Sequence, residues 1–330
     1  MNEQNIAKVS VIDPIGRAID RVKEVLFNPF DIGKWFIIGF CAWLARFGQG
    51  GGSGGGFNPA GAGEGPSPAQ VKAWFIEHFP LILSIGLGVF LLAIVFGIIF
   101  LWLSSRGRFM FLHCVAQNKA EVKVPWHKFR DQGNSLFIFR FVLGIGGFIC
   151  FAVPCGALVL LVIMVARSSV YATPALFVGI TMLVLIAIVI GIVFALIGKF
   201  TKDFVVPIMY LRRCRCLDGW GEFRHLLGGN KGRFTLYILF YMIISMAIGA
   251  IIVALACATC CCAACIFAIP YIGTVALLPI FVFGRSYSLY YLAQYGGEYD
   301  VFIPVAPMLE QAPSEPGGEE PTAEPPETVE

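Results

Sequence analysis

The chain has 330 residues, of which 58% are hydrophobic and 14% charged; a soluble protein carries about 25% charged residues, because all of its surface faces water. So few charges exclude a purely soluble enzyme and specify a polytopic membrane protein. The formal net charge of +3 conceals a division: Glu298 to Glu330 holds nine acidic residues and no Lys or Arg, so the preceding body holds 24 basic against 12 acidic groups.

Residues 1–29 form a cytoplasmic amphipathic segment. They mix acids and bases and lack the apolar run of a signal peptide, so the first apolar stretch is expected to act as an uncleaved signal anchor. Asp13 is placed to cap a helix whose first position is Pro14. Ile15, Ile19, Val22 and Leu26 fall on one face, with Arg17, Arg21, Lys23 and Glu24 elsewhere. That is the pattern of a helix in the headgroup plane; the alternative is a cytoplasmic cap of helices packed on one another.

Crossing the ~30 Å hydrocarbon layer takes about 20 apolar residues. Five segments qualify: Leu81–Leu103, Ser135–Val165, Ala175–Gly198, Phe234–Ala256 and Ile266–Gly284. A sixth, Phe30–Phe47, is short, with Lys34 and Arg46 near its ends, and needs a locally thinned bilayer. Pro154 should kink its helix. The fold class is therefore all-α: a polytopic transmembrane helical bundle over residues 30–296, with about six spans as three hairpins and amphipathic cytoplasmic connector helices.

Between Gly48 and Gly65 lie ten glycines. This outer loop (48–68) reads as a flexible linker, and no strand or P-loop lysine supports a phosphate-binding motif. Ala69–Phe79 reads as an interfacial helix anchored by Trp74 and Phe75. Residues 297–330 form an acidic, proline-rich tail expected to be disordered.

Lys and Arg set the orientation. Segments 1–34, 104–134 and 199–233 hold nineteen of them, and the alternate loops only Arg46, Lys72 and Arg167. Both termini are thus expected in the cytoplasm.

A repeat with a period near 95 residues runs through the chain. Each unit has an amphipathic stretch, an outgoing span, an outer loop, a returning span and an aromatic run. The amphipathic stretches are Pro14–Phe27, Val124–Phe129 and Leu217–Leu227. Trp126 with Phe129 recurs as Trp220 with Phe223. The terminal runs are Gly107-Arg108-Phe109-Met110-Phe111, Thr201-Lys202-Asp203-Phe204-Val205 and Gly284-Arg285-Ser286-Tyr287-Ser288.

No Asp or Glu occurs between Glu77 and Glu121, between Asp131 and Asp203, or between Glu222 and Glu298. Intramembrane carboxylates mark ion pathways, so this spacing argues against a proton- or sodium-coupled transporter. Arg140 and Arg285 stand near cytoplasmic helix ends, where a long side chain snorkels. The sharper reading assigns lipid-headgroup contacts to Arg106, Arg108, Lys199, Lys202, Arg212 and Arg285. Cys257, Cys260, Cys261, Cys262 and Cys265 sit at the outer turn between the last two spans. Three readings stand: small apolar residues at a hairpin, an outer disulfide cluster, and a metal or thiol centre. His113, Cys114, His127, Cys214, Cys216 and His225 match no zinc-finger spacing, and a basic juxtamembrane anchor accounts for their surroundings. No nucleophile elbow, metalloprotease or kinase signature is present. No catalytic, cofactor-binding or metal residue is assigned.

At Trp126, Trp220 and the run Asp203-Phe204-Val205-Val206-Pro207-Ile208-Met209-Tyr210-Leu211-Arg212, the chain resembles a group of largely uncharacterised prokaryotic six-helix integral membrane proteins. These are similar to the membrane-embedded domain joined to some glycerophosphodiester phosphodiesterases. The resemblance covers roughly residues 10–296 and implies a plasma-membrane protein with no assigned reaction. In the phosphodiesterases the catalytic carboxylates and histidines lie in a separate soluble domain, so no catalytic residue carries over.

The expectation is a non-enzymatic membrane module that organises lipid or a partner protein. Its partners would be membrane lipids, anionic on the cytoplasmic side, and a protein docked through the acidic tail, with no nucleic acid. The competing readings are an uncoupled permease or lipid-translocating protein, suggested by Pro154, Pro207, Pro270, Pro279 and the Gly-rich spans, and a thiol enzyme using Cys257–Cys265.

Overall fold

The computed structural model describes residues 9–47, 77–167, 174–259 and 269–302. The glycine-rich loop, most of the 69–79 segment, Cys260 to Cys265 and the tail beyond Phe302 lie outside the described residues.

The described chain is all helix: α1 (Asp13–Leu26), α2 (Ile32–Arg46), α3 (Phe79–Gln117), α4 (Lys123–Lys128), α5 (Arg130–Arg167), α6 (Pro174–Phe200), a π-helical turn (Thr201–Val205), α7 (Val206–Arg212), α8 (Cys216–Gly229), α9 (Lys231–Ala258), α10 (Pro270–Ala276), α11 (Leu278–Ala293) and a 3₁₀ turn (Gly297–Tyr299). Four stretches are long and apolar enough to cross a membrane: Phe79–Gln117, Arg130–Leu161, Phe177–Arg212 and Lys231–Leu255. The other two expected spans differ. At 15 residues, α2 is about 22 Å long at 1.5 Å per residue. The described part of Ile266–Gly284 is two helices that meet at Leu277. The helix over Ser135–Val165 continues through Pro154.

Each long helix has two regimes. In α3, residues from Leu81 to Ile99 expose large apolar side chains, whereas Ser104 to Ala116 are buried. The core therefore sits at one end of the bundle, where the three cationic stretches of the sequence meet. Apolar residues that face outward along the remaining length are suited to a lipid solvent, in which their exposure carries no hydrophobic penalty.

At that end α1 closes the bundle. Its N-terminus is capped by Ser10, whose Oγ accepts from the backbone N–H groups of Ile12 (3.1 Å) and Asp13 (3.3 Å). Asp13 makes no side-chain cap bond and lies inside the first turn, which corrects the expected cap. The buried face is Pro14, Ala18, Val25 and Leu26, and Ile19 points outward. The reason is docking. Ser10 exchanges hydrogen bonds with Gln294 (2.7 and 2.9 Å), Tyr287 donates to the Val11 carbonyl at 3.1 Å, and Arg21 donates to the carbonyls of Val115 and Ala116. These last two are end-of-helix carbonyls of α3 with no intrahelical partner.

The sequence repeats also recur as contacts. Phe109 stacks on Phe129 (5.9 Å, 10°), and Phe204 stacks on Phe223 (5.2 Å, 9°). Each connector stretch thus packs on the terminal run of the unit before it, and α1 packs in the same sense on the third run through Tyr287.

Candidate functional site

The terminal runs of the three units converge. Arg108 from α3, Lys202 and Asp203 from the π-turn and Arg285 from α11 line one cavity of about 170 Å³, and Arg46 at the end of α2 lines it too. Its far wall is apolar, with Ile244, Ile248, Ile280 and Phe281. A second cavity of about 570 Å³ shares Arg108, Lys202 and Tyr241 with the first and adds Arg140 and Lys199. Among the described residues, Asp203 is the only carboxylate lining either space.

The local folding explains this convergence. A π-turn widens the helix by one residue and is found often at functional sites. Here Arg285 Nη1 donates to the Lys202 carbonyl at 2.6 Å, tying α11 to that turn. Asp203 is buried, receives the Tyr237 hydroxyl at 3.0 Å and pairs with Lys199 Nζ at 2.5 Å. Lys199 also lies over the Tyr241 ring. Arg140 donates to Ser105 Oγ at 3.0 Å and Ser104 Oγ at 3.3 Å, and Arg46 packs over the Phe281 ring at 4.1 Å. Arg108 is buried within electrostatic reach of Arg140, Arg285 and Asp203.

Those partners leave donors over. Arg108 Nε and both Nε and Nη2 of Arg285 are buried with no hydrogen-bond partner. Buried donors ordinarily find acceptors, and an unmatched buried cation costs several kcal/mol. Six cations around one carboxylate are suited chemically to hold an anion. Guanidinium groups match phosphate oxygens in geometry as well as charge.

Of the six sequence candidates, Arg108, Lys199, Lys202 and Arg285 come together here. Arg106 and Arg212 do not. Arg106 is held between the rings of Trp102 (4.3 Å) and Trp126 (4.9 Å) and donates to Asn134 at 3.1 Å. Arg212 reaches the surface carboxylates Glu222 (3.2 Å) and Glu298 (2.8 Å). Sequence reasoning missed Asp203 as the counter-charge, although its isolation among 71 acid-free positions was the available signal: no other acid lies between Asp131 and Asp203. It also counted Arg46 with an outer loop and Arg140 as an anchor only.

None of the described thiols lines either cavity. Cys257 is exposed and free, while the other four members of its cluster lie outside the described residues. Cys216 is buried with its backbone N–H on Ser135 Oγ at 2.9 Å, and burial pushes its thiol up to about 12. His113 contacts the Tyr210 hydroxyl at 2.9 Å, and His127 and His225 are exposed. Among the described residues no three His, Cys, Asp or Glu side chains are grouped to hold a metal ion.

Fold and site define a helical protein whose described residues include four helices fit to cross a membrane and a cation-rich cavity at one end of them. The chain belongs to the DUF7544 family, a family of unknown function, which it matches over residues 9–302. Nothing in that match links it to the membrane domain of the glycerophosphodiester phosphodiesterases. No curated protein and no solved structure matches the chain.

Proposed function

We propose that this is a non-enzymatic plasma-membrane protein that holds anionic lipid at the cytoplasmic ends of its helices. The observation that carries the reading is the convergence of Arg46, Arg108, Arg140, Lys199, Lys202 and Arg285 on cavities with Asp203 as the only lining carboxylate among the described residues. The cations supply a headgroup site, and the apolar wall of Ile244, Ile248 and Ile280 suits an acyl chain. In this reading the long helices cross the bilayer as repeated hairpins, α2 packs along the cytoplasmic half of α3 so that Arg46 reaches the cavity, and both termini stay in the cytoplasm beside anionic lipid. The acidic tail in this reading docks on a basic partner protein.

The test is lipid mass spectrometry on the full chain purified in mild detergent. Retained lipid should be enriched in anionic species over the source membrane, and Arg108→Gln with Arg285→Gln should remove the enrichment. Retained lipid of bulk composition would sink the reading.

A second reading, lipid translocation, is favoured by one feature. The larger cavity runs between α5 and α6 past Gly144, Gly147 and Gly198, where small residues leave room. Proteoliposomes that scramble a labelled phospholipid faster than empty vesicles would support translocation, and equal rates would remove it.

A further inference from the structure

Resting on the headgroup reading above, we propose that the ligand group is a terminal phosphomonoester, the dianionic headgroup of a lipid such as phosphatidic acid, and not the monoanionic diester common to other acidic lipids. Two observations, one of charge and one of geometry, point to it.

The smaller cavity is lined by Arg46, Arg108, Lys202 and Arg285 against Asp203. Asp203 is already engaged, by Lys199 and by the Tyr237 hydroxyl. Among the described residues no free carboxylate therefore compensates the four cations that line the cavity. A phosphodiester brings one negative charge, and a phosphomonoester brings about −1.5 to −2 at pH 7. The surplus calls for the more highly charged group.

The geometry agrees. Three separate chain runs each deliver a cation to the same space: Arg108 from the first terminal run, Lys202 from the second and Arg285 from the third. Of these, Arg108 and Arg285 are buried and keep donors without partners, Arg108 at Nε and Arg285 at Nε and Nη2. A monoester presents three terminal acceptor oxygens, one for each run, whereas a diester offers two. The fourth oxygen, esterified to the lipid, would leave toward the apolar wall of Ile244, Ile248 and Ile280.

The same chemistry is available from a lipid or from free phosphate, and the experiment separates them. The full chain in detergent is titrated with phosphatidic acid, phosphatidylglycerol, phosphatidylcholine and inorganic phosphate, with occupancy read by native mass spectrometry. Phosphatidic acid is expected to bind about tenfold more tightly than phosphatidylglycerol. Its advantage should shrink as pH falls from about 7.5 to about 5.5, because the second phosphate pKa is near 6. The titratable groups that line the two cavities are Arg46, Arg108, Arg140, Lys199, Lys202, Arg285, Asp203, Tyr241 and Tyr287, with Tyr237 behind them on Asp203, and phosphatidylglycerol measured over the same range corrects for any of their own titration. Equal binding of the two acidic lipids overturns the monoester assignment and leaves the anionic-lipid reading standing. Binding of neither above phosphatidylcholine overturns both, and inorganic phosphate binding as tightly as phosphatidic acid overturns the lipid source. Lys202→Gln should erase the preference, while Arg17→Gln, an exposed residue of α1, removes the same charge and should keep it. The pH comparison on the unaltered protein decides the matter if a cavity variant does not fold.

Discussion

Tyr237 donates its hydroxyl to Oδ2 of Asp203 at 3.0 Å, and that same oxygen takes Lys199 Nζ at 2.5 Å. One buried oxygen thus joins α9, α6 and the π-turn, and among the described residues its carboxylate is the one negative charge lining a cavity that four cations also line. Removing one partner of a buried ion pair costs about 3–5 kcal/mol, since the opposite charge stays behind without compensation. Asp203→Asn keeps the shape and the capacity to accept the Tyr237 hydrogen bond but loses the charge. It should lower the stability of the delipidated protein by about that amount, measured as denaturant unfolding in detergent micelles. A variant as stable as the parent would show that Asp203 is not the counter-charge.

Arg108→Met predicts the opposite sign. Arg108 is buried, has an unpartnered Nε and is opposed by Arg140 and Arg285. Taking an ion out of water costs several kcal/mol, and an apolar side chain of similar length removes that cost together with the repulsion from Arg140 and Arg285. The lipid-free protein should therefore unfold at the same or higher denaturant, while stabilisation by added acidic lipid disappears. Loss of stability without lipid would mark Arg108 as a structural ion and not a ligand-binding one.

These two substitutions bear on what the sequence discloses. Composition and apolar run length reveal four long helices, because lipid demands continuous apolar length and leaves a signal in every residue. The cationic ends of those runs point to Arg108, Lys199, Lys202 and Arg285. The π-turn at Thr201–Val205 leaves no such trace, nor does the docking of α1 on α11, which turns Ile19 outward and buries Ala18. Arg106 and Arg212 look equivalent to the others in sequence. They are diverted by Trp102 and Trp126, and by Glu222 and Glu298, and such partners depend on tertiary contacts that spacing alone does not encode. Hydropathy groups Arg46 with an outer loop because it reads the length of α2 and not the part of α3 along which α2 packs, which rests on tertiary contacts such as Ala45 against Gly107.

Gly107 tests where that partner lies. A Cβ at Gly107 would stand 2.7 Å from the Ala45 amide nitrogen and 2.8 Å from the Leu44 carbonyl carbon, backbone atoms that cannot swing aside. Small residues permit this kind of close helix crossing within membranes. Gly107→Ala should destabilise the protein by about 1–3 kcal/mol through overpacking. Gly86, on the lipid-suited half of the same helix, has nothing within 4 Å, so Gly86→Ala should be neutral or slightly stabilising by helix propensity. Unfolding curves for the two single variants provide the check, and equal effects would contradict the α2–α3 crossing.

Cys41 on α2 and Cys114 on α3 are both buried and free, with their sulfurs 3.9 Å apart. A disulfide needs about 2.05 Å between sulfurs, a closure within reach of small side-chain rotations in a packed pair. Their nearness fixes the register of the crossing independently of Gly107, because Cys114 lies two helical turns nearer the end of α3 than Gly107. Membrane-permeant iodine should therefore oxidise this pair, the two thiols giving up two protons and two electrons to form one bond while iodine is reduced to iodide. Mass spectrometry of a non-reduced digest should then find the peptide containing Cys41 joined to the one containing Cys114, two mass units below their sum, and reduction should separate them. Cys41→Ser should abolish that linked species. Should oxidation instead leave both cysteines free while the exposed Cys257 reacts, α2 would not lie along the buried half of α3, and Arg46 would lose its place at the cavity.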